Sequence, residues 1–303
     1  MNWMIYGANG YTGEITAREA VARGAKPVLA GRSEPSVASL ANELGLEHRI
    51  FSLDAPAALS AGMEGMQLVL HCAGPFSKTS APMVQACIDH RIHYLDITGE
   101  IDVFSAVHKR DKEARRNDVV LLPGAGFDVV PTDCLAAALV EALPSATSLQ
   151  LAFEAGGGLS PGTAKTSVER LSVGGCVRKD GELKTVPLGW KTRIVPFSHG
   201  ERSAVTIPWG DVYTAWVSTG IPDIEVYLSA PPSTAKRLKR LRMIQPLLGL
   251  KPVQSFLRKR IEKKVKGPSQ ELRDKTVMHL WGEVTSADGR SVSATMTTPN
   301  GYQ

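Results

Sequence analysis

The chain has 303 residues, of which 43% are hydrophobic, 21% charged and 6% aromatic, enough apolar material for one large domain or two modest ones. That composition excludes a disordered tail, a collagen-like fibre and a short disulfide-stapled module. The net charge of +5 is uneven: Thr234 to Lys275 holds 14 Lys or Arg against 3 Asp or Glu, so the remainder of the chain is net acidic.

Trp3 to Tyr6, WMIY, reads as a short apolar strand running directly into GANGYTG at Gly7 to Gly13. A helix is predicted over Glu14 to Arg23, ended by Gly24. This is G-x-x-G-x-x-G in a strand–turn–helix setting, the arrangement that binds a dinucleotide. Gly7 allows the tight turn, Gly10 lets backbone approach a pyrophosphate at the helix start, and Gly13 permits close packing of helix on strand. Asn9, Tyr11 and Thr12 belong to the same candidate cofactor loop. The alternative is a plain glycine-rich turn.

The next strand, Pro27 to Ala30, leads into Gly31, Arg32 and Ser33, where an NAD enzyme would usually carry an acidic residue for the ribose 2′-hydroxyl. Arg32 can instead pair with a 2′-phosphate through bidentate, charge-assisted bonds. The expected cofactor is therefore NADP rather than NAD, with a solvent-facing arginine as the alternative.

The pattern then repeats. A helix is predicted over Glu34 to Gly45, a strand over Arg49 to Ser52, and Asp54 either binds near the adenine or caps the following turn. A fourth strand, Gln67 to His71, precedes CAGPF at Cys72 to Phe76, and Ala73, Gly74 and Pro75 fall just beyond its carboxyl end, where such sheets bind cofactors. A helix over Ser80 to His90 follows, then the strand His93 to Asp96 entering ITGE, a helix over Ile101 to Asn117, and the apolar strand Val119 to Leu122. PGAGFDVVPTD, Pro123 to Asp133, leads to a helix over Cys134 to Leu143 with Thr132 or Asp133 as its cap. These units predict an α/β fold with a parallel, doubly wound Rossmann-type sheet.

Five stretches now combine: YGANGYTG at Tyr6 to Gly13, AGR at Ala30 to Arg32, AGPF at Ala73 to Phe76, YLDITGE at Tyr94 to Glu100 and GFDVVPTD at Gly126 to Asp133. Together they resemble the saccharopine dehydrogenase-like oxidoreductases, nearest the branch that includes the trans-acting enoyl reductases. KGPS at Lys266 to Ser269, with Glu271 and Arg273, extends the resemblance toward the end of the chain. It implies an NADP-binding domain over residues 1–132 and an α+β domain over 133–303 that supplies the substrate surface and homodimer contacts. By position, Gly7, Gly10 and Gly13 would face the pyrophosphate, Arg32 the 2′-phosphate, and Ala73, Gly74 and Pro75 the ribose, with Phe127 and Asp128 near the nicotinamide. Members that make or split saccharopine are usually longer, with a larger inserted domain, which argues against saccharopine itself. Relatives commonly continue beyond TPNGYQ, Thr298 to Gln303, and the resemblance leaves room for the last residues to pack back on the first domain.

In the second half, Ser148 to Glu154 alternates as a strand and precedes GGGLSPGTAK, Gly156 to Lys165. Pro161 suits the first turn of a helix reaching Leu171, with Ser160 as cap. This glycine-rich approach is either an anion site using Thr163 and Lys165 or a crossover without a ligand. SAVTIPW, VYTAWV and IEVYL, within residues 203–228, read as strands. Trp281 to Thr285 and Ser291 to Thr297 flank a hairpin turn at Asp288 and Gly289. A mixed, largely antiparallel sheet is predicted. Trp190, Trp209, Tyr213 and Trp216 read as core or dimer packing before a ligand cage.

The basic run KRLKRLRMIQPLLGLKPVQSFLRKRIEKKV, Lys236 to Val265 within the segment 234–275, fits two short helices broken by Pro246, Gly249 and Pro252. Leu238, Leu241, Phe256, Leu257 and Ile261 supply apolar faces. Three readings stand for 236–266: an anionic membrane surface, an acidic carrier protein presenting an acyl chain, or a solvated face packed on its own domain. Nucleic acid is disfavoured, since no aromatic stacking platform accompanies the charge.

For chemistry, Asp128 is the first candidate for orienting the nicotinamide or relaying a proton, and Lys165 the second, as an anion or oxyanion donor. Asp133, Tyr94 and His93 also fall in plausible regions, and no Tyr-x-x-x-Lys signature or triad selects among them. No metal site is expected, because neither the seven histidines nor the four dispersed cysteines form a spaced cluster. Free thiols, the absence of a leader-like start and the absence of an apolar run of bilayer length predict a cytoplasmic protein, with peripheral membrane association as the variant. Three functions remain open: an NADP-dependent oxidoreductase on a hydrophobic or carrier-bound enoyl or acyl substrate, an imine or amino-acid oxidoreductase like saccharopine reductase, and a non-catalytic NADP-binding or lipid-associated protein.

Overall fold

The computed structural model describes residues 1–303, with every side chain except that at position 262. The chain divides into two compact units, Met1–Gly126 with Tyr302, and Phe127–Gly301 with Gln303. The division falls ahead of the expected boundary at 132. Tyr302, grouped with the first unit, meets the Tyr11 ring edge-on at 5.3 Å.

The first unit alternates β1 (Trp3–Tyr6), α1 (Tyr11–Ala22), β2 (Val28–Gly31), α2 (Glu34–Leu44), β3 (His48–Ile50), α3 (Pro56–Met63), β4 (Leu68–His71), α4 (Phe76–Asp89), β5 (His93–Asp96), α5 (Ile101–His108), α6 (Asp111–Arg116) and β6 (Leu121–Leu122). All neighbours in the sheet are parallel, in the order β3-β2-β1-β4-β5-β6. This is the doubly wound arrangement the repeats predict. The central strands β1 and β2 are apolar on both faces because each face packs into a buried cluster. In β1, Met4 and Tyr6 enter one buried cluster with Val69, Met83 and Tyr94, while Ile5 enters the other with Ala17, Leu29 and Val37.

Three local expectations need correction here. The predicted helix Ile101 to Asn117 is two helices broken at Lys109 and Arg110. The strand predicted over Val119 to Leu122 keeps only Leu121 and Leu122. Helix α4 starts at Phe76 rather than Ser80, for a reason that lies in Glu100 and is described below.

The second unit holds α7 (Val130–Ala142), β7 (Ala146–Glu154), α8 (Pro161–Arg170), β8 (Gly175–Lys179), β9 (Glu182–Val186), β10 (Thr192–Phe197), β11 (Gly200–Thr206), α9 (Asp211–Thr219), β12 (Asp223–Ser229), α10 (Pro232–Leu241), a 3₁₀ turn (Arg242–Ile244), α11 (Gln245–Leu248), α12 (Lys251–Lys264), α13 (Gln270–Lys275), β13 (Val277–Ser286) and β14 (Ser291–Pro299). Its sheet runs β10-β11-β12-β7-β13-β14, with β8 also on β12 and β9 on β8. β12 and β7 are parallel and every other pair is antiparallel, so the sheet is mixed and largely antiparallel as expected. Helix α7 lies against β13 where Gly282 has no side chain: a Cβ there would sit 2.7 Å from Leu139 Cδ1.

VYTAWV, expected as a strand, is the core of helix α9. Its buried positions, Val212 and Ala215, are three apart, and Gly220 in the left-handed region ends the helix. Nor does Thr132 or Asp133 cap α7, which starts at Val130. Their hydroxyl and carboxylate join α7 to α9 instead: Thr132 Oγ1 donates to Asp211 Oδ1 at 2.5 Å, and Ser218 Oγ donates to Asp133 Oδ2 at 2.5 Å. Of the four aromatics singled out, Trp209 stacks on Phe153 at 4.9 Å and Trp216 lies under the Arg178 guanidinium at 4.2 Å, whereas Trp190 is 37% exposed. No helix among the described residues is long and apolar enough to cross a membrane, and none of their His, Cys, Asp and Glu side chains group in threes to hold a metal.

Candidate functional site

The loop after β1 is shaped by what its glycines exclude. Gly7 has φ +84°, and a Cβ there would lie 2.7 Å from Ala73 N. On Gly13 a Cβ would lie 2.3 Å from Gly7 O. These two glycines are demanded by the protein's own packing. Gly10 differs: its Cβ would meet only Gly7 O, at 3.2 Å, so the side facing away from the protein is open. Gly10 also stands at the N-cap of α1, where it has no side chain to satisfy the first-turn N–H groups. An open, uncapped helix start with backbone able to approach closely fits a pyrophosphate. Tyr11 and Thr12 open that helix, and Asn9 sits beside the end of β2, its Oδ1 3.2 Å from where a Gly31 Cβ would be.

At the end of β2 the structure gathers Asn9, Arg32, Ser33 and Asp54. Arg32 is exposed, and Ser33 Oγ hydrogen-bonds Ser36 Oγ at 2.7 Å. Asp54 is also exposed and turns back on Ser52, its N–H donating to Ser52 Oγ at 3.3 Å. Tyr6 marks how close these groups are. Its hydroxyl donates to Phe51 O at 3.1 Å, and its pKa is pushed up to about 12, chiefly by burial, with Arg32 lowering it and Asp54 raising it. The region offers one cation and several hydroxyl and amide groups to an anion.

The loop after β4 is held by residues the sequence reading passed over. Thr79 Oγ1 lies 2.6 Å from Ala73 O, 3.1 Å from Pro75 O and 3.0 Å from His71 Nε2. The hydroxyl has one proton, which it gives to the loop carbonyls, so His71 Nε2 carries the hydrogen and donates to Thr79. His71 Nδ1 is then a bare lone pair, buried without a partner, and burial pulls the imidazole down to about 3. His71 packs; it is neutral. Cys72 is likewise held protonated, its thiol pushed up to about 12 by burial and by Asp96.

YLDITGE supplies the second clamp. Asp96 Oδ1 accepts from Thr98 N at 2.9 Å and Gly124 N at 2.8 Å, and Asp96 Oδ2 accepts from Tyr94 Oη at 2.6 Å. Thr98 Oγ1 accepts from Glu100 N at 3.0 Å. The Glu100 carboxylate reaches α4 and accepts from Phe76 N at 2.9 Å and Ser77 N at 3.0 Å. A distant carboxylate therefore caps α4, which is why that helix begins at Phe76, immediately after Gly74 and Pro75. Of these two helix starts, that of α4 is capped by a carboxylate of the protein itself, whereas α1 has no side-chain cap. The signal was present in the Glu of ITGE, but only the fold brings it to residue 76.

Phe127 and Asp128 fall in the second unit. The Phe127 ring is covered by the backbone at Gly301, where a Cβ would lie 2.9 Å from the ring. Asp128 O accepts from Trp209 Nε1 at 2.5 Å, fixing the backbone, while the carboxyl makes no hydrogen bond among the described residues and burial raises it to about 6. Lys165 lies on α8, whose start is capped by Ser160 Oγ accepting from Thr163 N at 3.2 Å. The glycines before α8 have a packing cause: a Cβ on Gly156 would lie 2.8 Å from Val277 O, and one on Gly157 3.0 Å from Asn300 Nδ2.

Residues 3–122 match the family model described as the saccharopine dehydrogenase NADP binding domain. Over 185 residues the chain is 31% identical to a Mycobacterium tuberculosis protein named as a trans-acting enoyl reductase, covering 56% of this chain and 44% of that one. Over 152 residues it is 30% identical to the mouse saccharopine dehydrogenase-like oxidoreductase, covering 43% of this chain and 35% of that one. The chain thus spans less than half the length of these relatives. Among solved structures, the apo saccharopine dehydrogenase (L-Glu forming) of Saccharomyces cerevisiae superposes with a TM-score of 0.64 at 10% identity, covering 99% of this chain and 87% of that one.

Proposed function

We propose, from the match of residues 3–122 to the saccharopine dehydrogenase NADP binding domain, an NADP(H)-dependent oxidoreductase acting on a hydrophobic, carrier-bound enoyl substrate. The observation that carries the cofactor half is the pairing of an open, uncapped α1 start at Gly10 with a cation, Arg32, at the end of β2. In this reading backbone N–H groups at Gly10 to Thr12 hold the pyrophosphate and Arg32 pairs with the 2′-phosphate. The cofactor supplies hydride from its nicotinamide when bound.

The substrate half rests on the relatives named as enoyl reductases. An enoyl thioester that gains hydride at C3 needs a proton at C2, so one proton is consumed for each NADPH. A carboxyl raised to about 6 keeps its proton later than an ordinary aspartate, which suits Asp128 to this delivery. Lys165 is the further candidate, as donor to the thioester oxygen. The second unit would supply the substrate surface and the contacts of a homodimer.

The test is loss of NADPH absorbance with trans-2-enoyl thioesters of increasing chain length, against a set of amino-acid-derived imines. Turnover that rises with chain length supports the proposal. Turnover of imines alone would replace it with the amino-acid reading, and NADPH binding without turnover of either class would point to a binding protein.

A further inference from the structure

The basic run behaves differently on its two sides. Inward, Arg242 donates to Leu188 O at 2.8 Å and Gly189 O at 3.0 Å, and Gln245 Nε2 donates to Ser172 O at 3.2 Å. Gln254 Nε2 donates to Leu248 O at 2.6 Å and Val168 O at 3.2 Å, and Arg258 pairs with Glu169 at 3.0 Å. Leu238, Leu241, Leu257 and Ile261 are half-buried, so most of the apolar residues expected to form a face pack on their own unit.

Left outside is an apolar set that shares only Phe256 with the expected one. Met243 is 86% exposed, Phe256 63%, Leu247 56% and Leu250 51%, all within one elbow formed by the 3₁₀ turn, α11 and the start of α12. Polar anchors point in and apolar side chains point out, the reverse of a merely solvated face. On α12 the outward residues continue by helical spacing from Phe256 to Lys259, Arg260 and Lys263, all exposed. Arg258 pairs with Glu169 and Lys275 with Glu271, whereas Lys259, Arg260 and Lys263 form no ion pair with any described side chain.

We propose that this elbow docks on an anionic lipid bilayer, with Met243, Leu247 and Phe256 entering the headgroup–acyl boundary and Lys259, Arg260 and Lys263 lying over lipid phosphates. Charge complementarity selects an anionic partner, and the apolar tip selects a bilayer over an acidic protein. A folded protein needs a matching groove for several protruding apolar side chains, whereas a bilayer receives them in any arrangement. The inference stands independently of which substrate the chain reduces.

The experiment is flotation of the whole chain with vesicles of phosphatidylglycerol in phosphatidylcholine, against phosphatidylcholine alone. Two variants accompany it, Met243→Ser/Leu247→Ser/Phe256→Ser and Lys259→Glu/Arg260→Glu/Lys263→Glu, each checked for an unchanged melting temperature. The wild type floats with the anionic vesicles only. Charge reversal lowers that partitioning by about 100-fold or more, because losing three basic residues that each contribute roughly a factor of five already gives that much before repulsion is added, and the serine variant lowers it about 10-fold or more. No flotation, equal flotation with neutral vesicles, flotation untouched by both variants, or binding to an acidic carrier protein in place of vesicles would each overturn the proposal.

Discussion

Gly7 and Ala73 approach so closely that a Cβ on Gly7 would stand 2.7 Å from the Ala73 nitrogen, which locks the loop after β1 to the loop after β4. Gly7 also has φ +84°, so Gly7→Ala suffers both a clash with backbone and a strained conformation. We expect a loss of stability of about 2 kcal/mol or more and weakened nucleotide binding. Thermal melting and NADPH calorimetry check both.

The bidentate cap from Glu100 to α4 makes a graded prediction. Glu100→Ala strips acceptors from Phe76 N and Ser77 N and should cost about 2–3 kcal/mol, while Glu100→Gln keeps one acceptor and should cost about 1 kcal/mol. Both should weaken NADPH binding in the same order, since the cap anchors the helix immediately after Gly74 and Pro75. Denaturant melts alongside calorimetry give the ranking, and equal effects of Gln and Ala would sink it.

His71 gives an acid limb. Its imidazole is lowered to about 3 by burial, so between pH 6.5 and 3 the unfolded chain binds a proton that the folded one refuses. The stabilisation from keeping His71 neutral is complete above about pH 6.5 and is lost as pH falls toward 3, on the order of 4 kcal/mol in all. His71→Leu should flatten that limb. Melting temperatures taken across the window decide it.

Asp128 has the opposite sign. A carboxyl raised to about 6 binds its proton more tightly folded than unfolded, so stability falls as pH rises from about 4 through 6. Because the residue is half-buried, the cost of the anion at pH 8 is on the order of 2 kcal/mol. Asp128→Asn should therefore match the wild type near pH 4 and exceed it in stability at pH 8. If Asp128 is the proton donor, the same variant loses turnover by roughly 100-fold or more, and wild-type kcat/KM declines above about pH 6.

Much of the fold was legible because its signals are local. The β1–loop–α1 unit is written in consecutive letters, with Met4 and Ile5 alternating between two covered faces and Gly7, Gly10 and Gly13 spaced for the turn. VYTAWV misled because its aromatic and β-branched residues suit a strand, whereas the buried Thr132–Asp211 join and the Gly220 stop make it a helix. Glu100 stood out in ITGE but its role as a cap did not, and Thr79 carried no signal. Thr79 holds the loop from within its own β4–α4 unit, and Glu100 reaches α4 from 24 positions away, a contact that only the packed fold makes.

Cofactor choice rests on Arg32 and the open helix start at Gly10. Isothermal calorimetry of NADPH against NADH, on the wild type and on Arg32→Ala, tests both together. The expected result is tight NADPH binding, NADH weaker by about 10-fold or more, and a preference that vanishes in the variant because a charge-assisted phosphate contact is lost. Equal binding of the two nucleotides by the wild type, or an NADPH preference that survives Arg32→Ala, would contradict it.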